Sequence, residues 1–259
     1  MNAPAKLSEV TLKTIEFKLD AQTIYAFEGE TILKAAKRHG VDIPHLCYKD
    51  GMRADGNCRA CVVEIKGERT LAPSCCRSAT EGMEVQAHSE RAVKSQKLVL
   101  EMLLSDMPDV GYKWNDDGSS DAGPAAAGAL VGQHGELSDW AARMDVTVRP
   151  ELKALRREQP KSDVSHPAMA VNLDACIQCN RCVRACREEQ VNDVIGYAMR
   201  GAHSEIVFDL HDPMGDSTCV ACGECVQACP TGALMPKTQV GSQVVDKKVD
   251  SVCPFCGVG

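Results

Sequence analysis

The chain has 259 residues, of which 44% are hydrophobic and 25% charged, the balance of an ordinary soluble protein with one large domain or two small ones. Its net charge of −7 counts against a general nucleic-acid-binding protein, which would need a basic face. The start, MNAPAKLSEV, lacks the apolar core of a secretory signal, and no apolar run reaches the roughly 18 residues of a membrane span, so we predict a cytoplasmic protein.

Cysteine is the residue type that stands out, with 15 copies arranged in four tight groups. In a reducing compartment stable disulfides are rare, so clustered thiols are expected to bind metal or to stay free. No cysteine lies between Cys76 and Cys176, and this gap separates two regions that are each predicted to bind metal.

The first 88 residues alternate strand-like and helix-like segments. The segment ETILKAAKRHG (30–40) is typical of a helix, with Thr31 as its N-cap and Gly40 as its C-terminal stop. Alternating apolar residues predict strands at 12–19, 23–27, 61–65, 69–72 and 83–87.

The first cysteine group follows this helix and has the spacing C-x10-C-x2-C-x13-C. Its members are Cys47, Cys58, Cys61 and Cys75. The spacing fits neither a plant-type ferredoxin nor a zinc finger. However, a strand pair, a helix, a cysteine loop and further strands are the β-grasp order of [2Fe–2S] ferredoxins. We therefore predict a β-grasp domain at 1–88 in which these four cysteines bind one [2Fe–2S] cluster.

The adjacent cysteines Cys75 and Cys76 and two glycines of the loop also bear on the predicted cluster site. Adjacent residues cannot easily bind one small cluster together, so Cys75 is taken as the ligand and Cys76 is predicted to be a small buried apolar residue. Gly51 and Gly56 are predicted to let the backbone approach closely and aim N–H groups at the sulfurs.

Residues 89–167 are predicted to be a helical linker region. SERAVKSQKLVLEMLLSD (89–106) is typical of an amphipathic helix that begins at Ser89 and packs across to the next module. Its predicted apolar stripe is Ala92, Leu98, Val99 and Leu103. The Gly-, Ala-, Ser- and Asp-rich stretch 115–135 is predicted to be a flexible surface loop, and 136–159 to form short charged helices in which Trp140 is an anchor.

The second and third cysteine groups are an internal repeat within a module predicted at 168–238. Both have the spacing C-x2-C-x2-C-x3-C, and their first cysteines are 43 residues apart. This is the run of bacterial two-cluster ferredoxins, in which the fourth cysteine of each run binds the other cluster. One [4Fe–4S] cluster is therefore assigned to Cys176, Cys179, Cys182 and Cys229. The other is assigned to Cys219, Cys222, Cys225 and Cys186.

The alternatives for this repeat are zinc ribbons or unligated thiols, but zinc sites usually show two CxxC pairs rather than four cysteines in eleven residues twice. Arg187 stands where the first run would have a proline like Pro230 of the second. Arg181, Arg184 and Arg187 either tune the potential of the first cluster, face a partner or lie on solvated surface. Strands are predicted between the two runs, at 196–210.

The motifs PHLCYKDGMRADGNCRACVVEI, CIQCNRCVRAC and CVACGECVQACP together resemble a family of iron–sulfur subunits. These are the N-terminal part of the large iron–sulfur subunit of respiratory complex I, the diaphorase part of NAD-reducing hydrogenases, and the alpha subunit of soluble NAD-dependent molybdenum formate dehydrogenases. The resemblance covers roughly residues 12–105 and 168–259. It implies an α+β chain with a β-grasp ferredoxin domain, a helical linker and a two-cubane ferredoxin-like module.

Many members of this family carry a further cubane, held by one histidine and three cysteines. The corresponding stretch here, 105–123, has neither residue type, and His134 further on has no cysteine near it. That cluster is therefore predicted to be absent, and His134 to be a solvated loop residue.

The tail SVCPFCGVG resembles the start of the cysteine motif that opens the molybdopterin domain of formate dehydrogenases. Cys253 and Cys256 are its first two cysteines, and two thiolates cannot hold a cubane alone. We predict that 239–259 begins this motif incompletely. The alternative is a flexible tail that binds zinc or nothing.

The resemblance implies an electron-transfer segment of a formate dehydrogenase. Electrons from a molybdenum site beyond residue 259 would pass through the clusters to a flavin- and NAD-binding diaphorase-type subunit. No catalytic residue set, dinucleotide-binding turn or P-loop is visible in the chain itself. The alternatives are a diaphorase iron–sulfur subunit of a hydrogenase or complex I relative, and a free-standing redox carrier or regulator.

Overall fold

A computed structural model describes residues 13–107, 135–153 and 162–239. Most of the predicted linker 115–135, the end of the segment 136–159, His134 and both tail cysteines lie outside the described residues. Over the described ranges the chain is an α+β protein with one five-stranded sheet and two two-stranded sheets.

The five-stranded sheet is formed by the N-terminal part of the chain. Its strands are β1 (Thr14–Leu19), β2 (Gln22–Phe27), β3 (Val62–Ile65), β4 (Ala72–Pro73) and β5 (Glu84–Gln86). They lie in the order β2-β1-β5-β3-β4, with β1 and β5 parallel and the other pairs antiparallel. Along β1 and β2 the buried residues alternate, so Phe17 and Ile24 face one core while their neighbours face solvent.

Helix α1 (Ile32–Arg38) packs on this sheet and begins where the sequence predicts. The Thr31 hydroxyl accepts a hydrogen bond from the Lys34 N–H at 3.4 Å, which satisfies one of the free N–H groups of the first turn. The helix ends before Gly40, whose φ of +74° is a conformation that favours glycine. Both predicted end signals are confirmed.

Helix α2 (Glu90–Ser105) is capped by Ser89 as predicted, but its buried face differs from the predicted stripe. The residues that the helix buries are Ala92, Gln96, Leu100, Glu101 and Leu104. Leu98 is 42% exposed, so its assignment to the stripe is wrong. The reason is Gln96, a polar residue that belongs to the buried face because its Nε2 donates to the carbonyls of Val62 and Ala87.

The C-terminal part consists of short elements around the cysteine repeat. Its helices, with those that precede it, are α3 (Glu136–Arg143), α4 (Pro150–Lys153), α5 (Arg181–Arg184) and α6 (Glu224–Ala228). Its strands are β6 (Met169–Val171), β7 (Ile195–Ala198), β8 (Glu205–Phe208) and β9 (Leu234–Pro236). β6 pairs antiparallel with β9 and β7 with β8, so the predicted strands between the cysteine runs form a hairpin.

One apolar core connects the two parts. It contains Leu46 of the ferredoxin loop, Leu100 of α2, Leu137 of α3 and Ile177 of the first cysteine run. The prediction that α2 packs across to the next module is therefore confirmed. No helix among the described residues has the length and apolar character needed to cross a bilayer.

Candidate iron–sulfur centres

The first cysteine set is assembled by strand pairing. Cys61 immediately precedes β3 and Cys75 follows β4, and these strands pair antiparallel, so the two cysteines lie at the same end of the pair. Ser74 strengthens this end, because its N–H and its hydroxyl both donate to the Cys61 carbonyl, at 3.1 and 2.7 Å. Residues that are distant in sequence thus come together through the turn of a hairpin.

Cys47 and Cys58 complete the set from the loop. The backbone N–H of Cys47 donates to the Cys58 sulfur at 3.4 Å. Hydrogen bonds from the thiols of Cys58 and Cys75 lower the pKa of Cys47 to about 2. A hydrogen bond with Cys75 lowers the pKa of Cys61 to about 7, against the opposing effect of burial. The structure therefore brings all four predicted sulfurs into one mutually interacting group.

Cys75 and Cys76 differ in burial. Cys75 is fully buried, as are Cys47 and Cys61, whereas Cys76 is exposed and its sulfur lies 3.5 Å from that of Cys75. The prediction of a small buried residue at Cys76 is wrong, because β4 ends at Pro73 and residues 74–76 form a turn at which Cys76 is exposed.

The two loop glycines have different roles. A Cβ on Gly56, at φ +68°, would lie 2.8 Å from the Cys76 sulfur, so close approach requires glycine there. Gly51 has φ +90°, but no described atom would lie within 4 Å of a Cβ at this position. At Gly51 it is therefore the backbone conformation that favours glycine.

The second set contains cysteines of both runs. Cys176, Cys179, Cys182 and Cys229 line one small apolar cavity, together with Leu173, Ile177 and Ile206. Burial, reinforced by the nearby charges of Cys229 and Cys176, raises the pKa of the Cys179 thiol. The fourth cysteine of the second run thus sits with the first three of the first run.

The third set has the reciprocal composition. Burial raises the pKa of the Cys225 thiol to about 12, with further contributions from Cys219, Cys222 and Cys186. The same neighbours, Cys222 and Cys186, raise the pKa of Cys219 in addition to burial. Helices α5 and α6 pack against each other, and this contact brings Cys186, beyond α5, to the other run.

The repeat extends to the backbone. The third and fifth residues of each run have positive φ, at Gln178 (53°) and Asn180 (70°) and at Ala221 (58°) and Gly223 (80°). In each run the third N–H donates to the first cysteine sulfur at 3.4 Å. These left-handed residues curl each run around its site. The sequence analysis did not identify these left-handed positions, although Asn180 and Gly223 are residue types that tolerate this conformation.

The structure explains why the first run has Arg187 where the second run has Pro230. Helix α6 ends at Ala228, and Pro230 cannot continue it because proline has no N–H. After α5 the chain instead continues through Cys186 in a π-helical turn, Ala185–Glu189, which the proline would have prevented. Arg187 is exposed and pairs with Asp193, so it lies on solvated surface.

The donor sets fit iron–sulfur clusters. Each site offers four soft sulfur ligands, and backbone N–H groups point at sulfur, as the outer hydrogen bonds of such sites do. Over the described ranges, no three His, Cys, Asp or Glu side chains converge on a single ion position.

Comparisons with known proteins define the class. Residues 12–90 match the 2Fe-2S iron-sulfur cluster binding domain and residues 175–233 match the 4Fe-4S dicluster domain. The chain therefore has one domain for a [2Fe–2S] cluster and one for two [4Fe–4S] clusters, and it is homologous to iron–sulfur subunits of NAD-linked oxidoreductases.

Two of the curated proteins that match this chain are subunits of different kinds of enzyme. The NADP-reducing hydrogenase subunit HndD of Solidesulfovibrio fructosivorans is 32% identical over 86% of this chain and 36% of its own length. The G 2 subunit of the NADH-quinone oxidoreductase of Rhizobium meliloti is 30% identical over 95% of this chain and 27% of its own length. The chain thus spans about a third or less of the curated relatives that it matches.

A solved structure matches over most of both chains. A crystal structure of an NAD+-reducing [NiFe]-hydrogenase in the H2-reduced state has a TM-score of 0.70 and 28% identity, and the match covers 90% of this chain and 92% of that chain. The α+β fold with a [2Fe–2S] ferredoxin domain and a dicluster domain is therefore shown.

Proposed function

We propose that this chain conducts electrons inside an NAD(P)-linked oxidoreductase. The observation that carries the proposal is that one structure assembles three four-cysteine sites in a continuous series. A cluster bound in each site would accept and release one electron at a time. We assign the ligands as predicted, the first set to a [2Fe–2S] cluster and the two interlocked sets to [4Fe–4S] clusters.

The chain's own residues prepare these sites in three ways. The cysteines would bind the iron of the clusters. The N–H groups of Cys47, Gln178 and Ala221 donate to cysteine sulfurs. The apolar lining excludes water from the first cubane site. Hydrogen bonds to sulfur and low local polarity are the main means by which a protein sets a cluster's potential.

The series has a defined order. The Asn57 side chain, beside Cys58, donates to the Cys179 carbonyl at 3.3 Å, so the ferredoxin loop contacts the first run directly. The first and second runs contact each other through α5 and α6. Electrons entering at one end therefore have the first cubane site between the [2Fe–2S] site and the second cubane site.

For the whole enzyme we favour a formate dehydrogenase. The support is the tail motif with Cys253 and Cys256, which resembles the opening of a molybdopterin domain. In this proposal formate is oxidised at a molybdenum site beyond residue 259, and a separate cytoplasmic flavin- and NAD-binding subunit receives the electrons. The greater length of the curated relatives leaves room for such a domain.

A hydrogenase subunit is the second candidate. It is supported by the hydrogenase structure, because the match covers 92% of that chain. A hydrogenase partner would supply electrons from hydrogen rather than from formate, while the role of the three sites would be the same.

Purification of the native complex decides between these candidates. The polypeptide is isolated from its own cells with its partners, and its denaturing mass, molybdenum, nickel and flavin are measured. A chain much heavier than 27.9 kDa with molybdenum and a flavin subunit is the expected result. A 27.9 kDa chain with flavin and nickel but no molybdenum would support the hydrogenase. A 27.9 kDa chain that purifies without any partner would indicate a free-standing electron carrier.

A further inference from the structure

Two arginines are buried at the junction between the ferredoxin loop and the first cysteine run. The side chains of Arg181 and Arg184 are only 3% and 5% exposed. The Arg181 Nη1 donates to the Leu46 carbonyl at 3.1 Å, and the Arg184 Nη2 donates to the Arg53 carbonyl. Both therefore reach from α5 across to the loop that carries Cys47 and Cys58.

The cysteine motif itself does not require these arginines. In the second run the residues at the same positions are Glu224 and Gln227, while the valine and alanine between the cysteines are identical in both runs. Gln227 is exposed, in contrast to the buried Arg184. The arginines thus belong to the junction and not to the fold of a cubane-binding run.

Within the described part of the chain, each arginine keeps one donor without a partner. Glu136 binds Arg181 through both carboxylate oxygens, at 2.7 and 2.8 Å, and Glu188 binds Arg184 at 3.0 and 2.9 Å. Nevertheless the Arg181 Nε and the Arg184 Nη1 are buried and form no hydrogen bond to any described residue. A buried donor without a partner is costly, so a polar group at these positions is expected.

The two charges face different cysteine sets. The charge of Arg181 acts on Cys179, which lies on the cavity of the first cubane site. The charge of Arg184 interacts with Cys47 of the ferredoxin set. Their carboxylate partners are 41% and 33% exposed, so water screens the negative charges more than the buried positive ones.

We propose that Arg184 and Arg181 are positioning residues that raise the reduction potentials of the [2Fe–2S] site and the first [4Fe–4S] site, respectively, while joining the two loops. Reduction adds one negative charge to a site, and a buried cation stabilises that charge in a region of low dielectric constant. This inference rests on the ligand sets of the proposed function, but not on formate or on any partner.

Redox titration of the full reconstituted chain, followed by electron paramagnetic resonance, tests the proposal. The R184Q variant should lower the [2Fe–2S] midpoint and R181Q that of the first cubane, each by about tenfold in the reduction equilibrium, or about 59 mV. The first-cubane signal is the one that C176S removes. R187Q, at an exposed arginine in the π-helical turn that follows α5, is the matched control and should leave both midpoints unchanged.

Variants that neutralise the carboxylates separate electrostatics from structure. E136Q and E188Q remove the partly exposed counter-charges, so they should raise the midpoints that R181Q and R184Q lower. R181K and R184K retain the positive charge, so the midpoint potentials of these variants should stay close to those of the native chain. Unchanged midpoints in both arginine-to-glutamine variants with full iron would overturn the proposal. If those variants lose iron, unchanged midpoints in E136Q and E188Q would overturn it instead.

The unsubstituted chain provides the remaining control. Its iron content and its spectra report whether the three sites form at all, without any substrate. A wrong iron content would contradict the ligand sets and this proposal with them. A failure of the formate hypothesis would leave these midpoints unaffected, so the two failures are distinguishable.

Discussion

The two cysteine runs share a motif and a backbone, but they occupy different environments. Cys179 of the first run is buried at the junction with the ferredoxin loop, whereas Cys222, at the equivalent position, is exposed. Beside Cys222, Val220 is 59% exposed. The comparison teaches that spacing determines which thiols assemble, while docking determines the dielectric and charge around them. Two equivalent runs can therefore hold clusters of different potential.

The largest effect should come from removing a ligand. C176S should remove about four of about ten irons and leave the [2Fe–2S] spectrum intact. Because the runs interlock, C229S should affect the same signal as C176S, although it lies in the other run. Iron analysis and electron paramagnetic resonance measure both. Loss of the other cubane signal in C229S would show that the assignment is not crossed.

The next largest effect should come from the apolar core that connects the ferredoxin loop, α2 and the first run. Leu100 is fully buried in the cluster that also contains Ile177 and Cys179, so L100A should destabilise the chain by about 2–5 kcal/mol. L98A, on the same helix at an exposed position, should change stability by less than about 0.5 kcal/mol. Urea unfolding provides the comparison. Equal effects at the two positions would contradict the buried face described for α2.

The left-handed residues allow a smaller test of the backbone repeat. Gly223 has φ +80°, and no described atom would lie within 4 Å of a Cβ there, so G223A should cost about 1–2 kcal/mol through backbone strain alone. G223N copies Asn180 of the first run and should cost less, because asparagine tolerates this conformation. Thermal unfolding of the two variants should rank them in this order. The opposite order would indicate that strain is not the cause.

The smallest effect concerns the junction. Asn57 donates to the Cys179 carbonyl at 3.3 Å, so N57A should cost about 1 kcal/mol and act on the first run only. Urea unfolding gives the energy, and the cubane signals show which run is affected. A change in the signal of the second cubane would mean that this hydrogen bond does not act on the first cubane site alone.

Local sequence determined the elements and the cysteine sets. Capping residues such as Thr31 and Ser89 act within a few positions, so they can be identified directly from the chain. The same holds for the spacing of the cysteine runs. Helix faces were less predictable, because the burial of Gln96 depends on two carbonyls that lie in other elements.

Only the tertiary structure decided what surrounds each set. The burial of Arg181 and Arg184 and the contact of Asn57 with Cys179 join residues that are distant in sequence. Sequence spacing carries no information on such contacts. The exposed Arg187 and the buried Arg181 and Arg184 lie within a few residues of one another. The sequence by itself determined which thiols assemble, and the docking of the two parts decided which charges lie beside them.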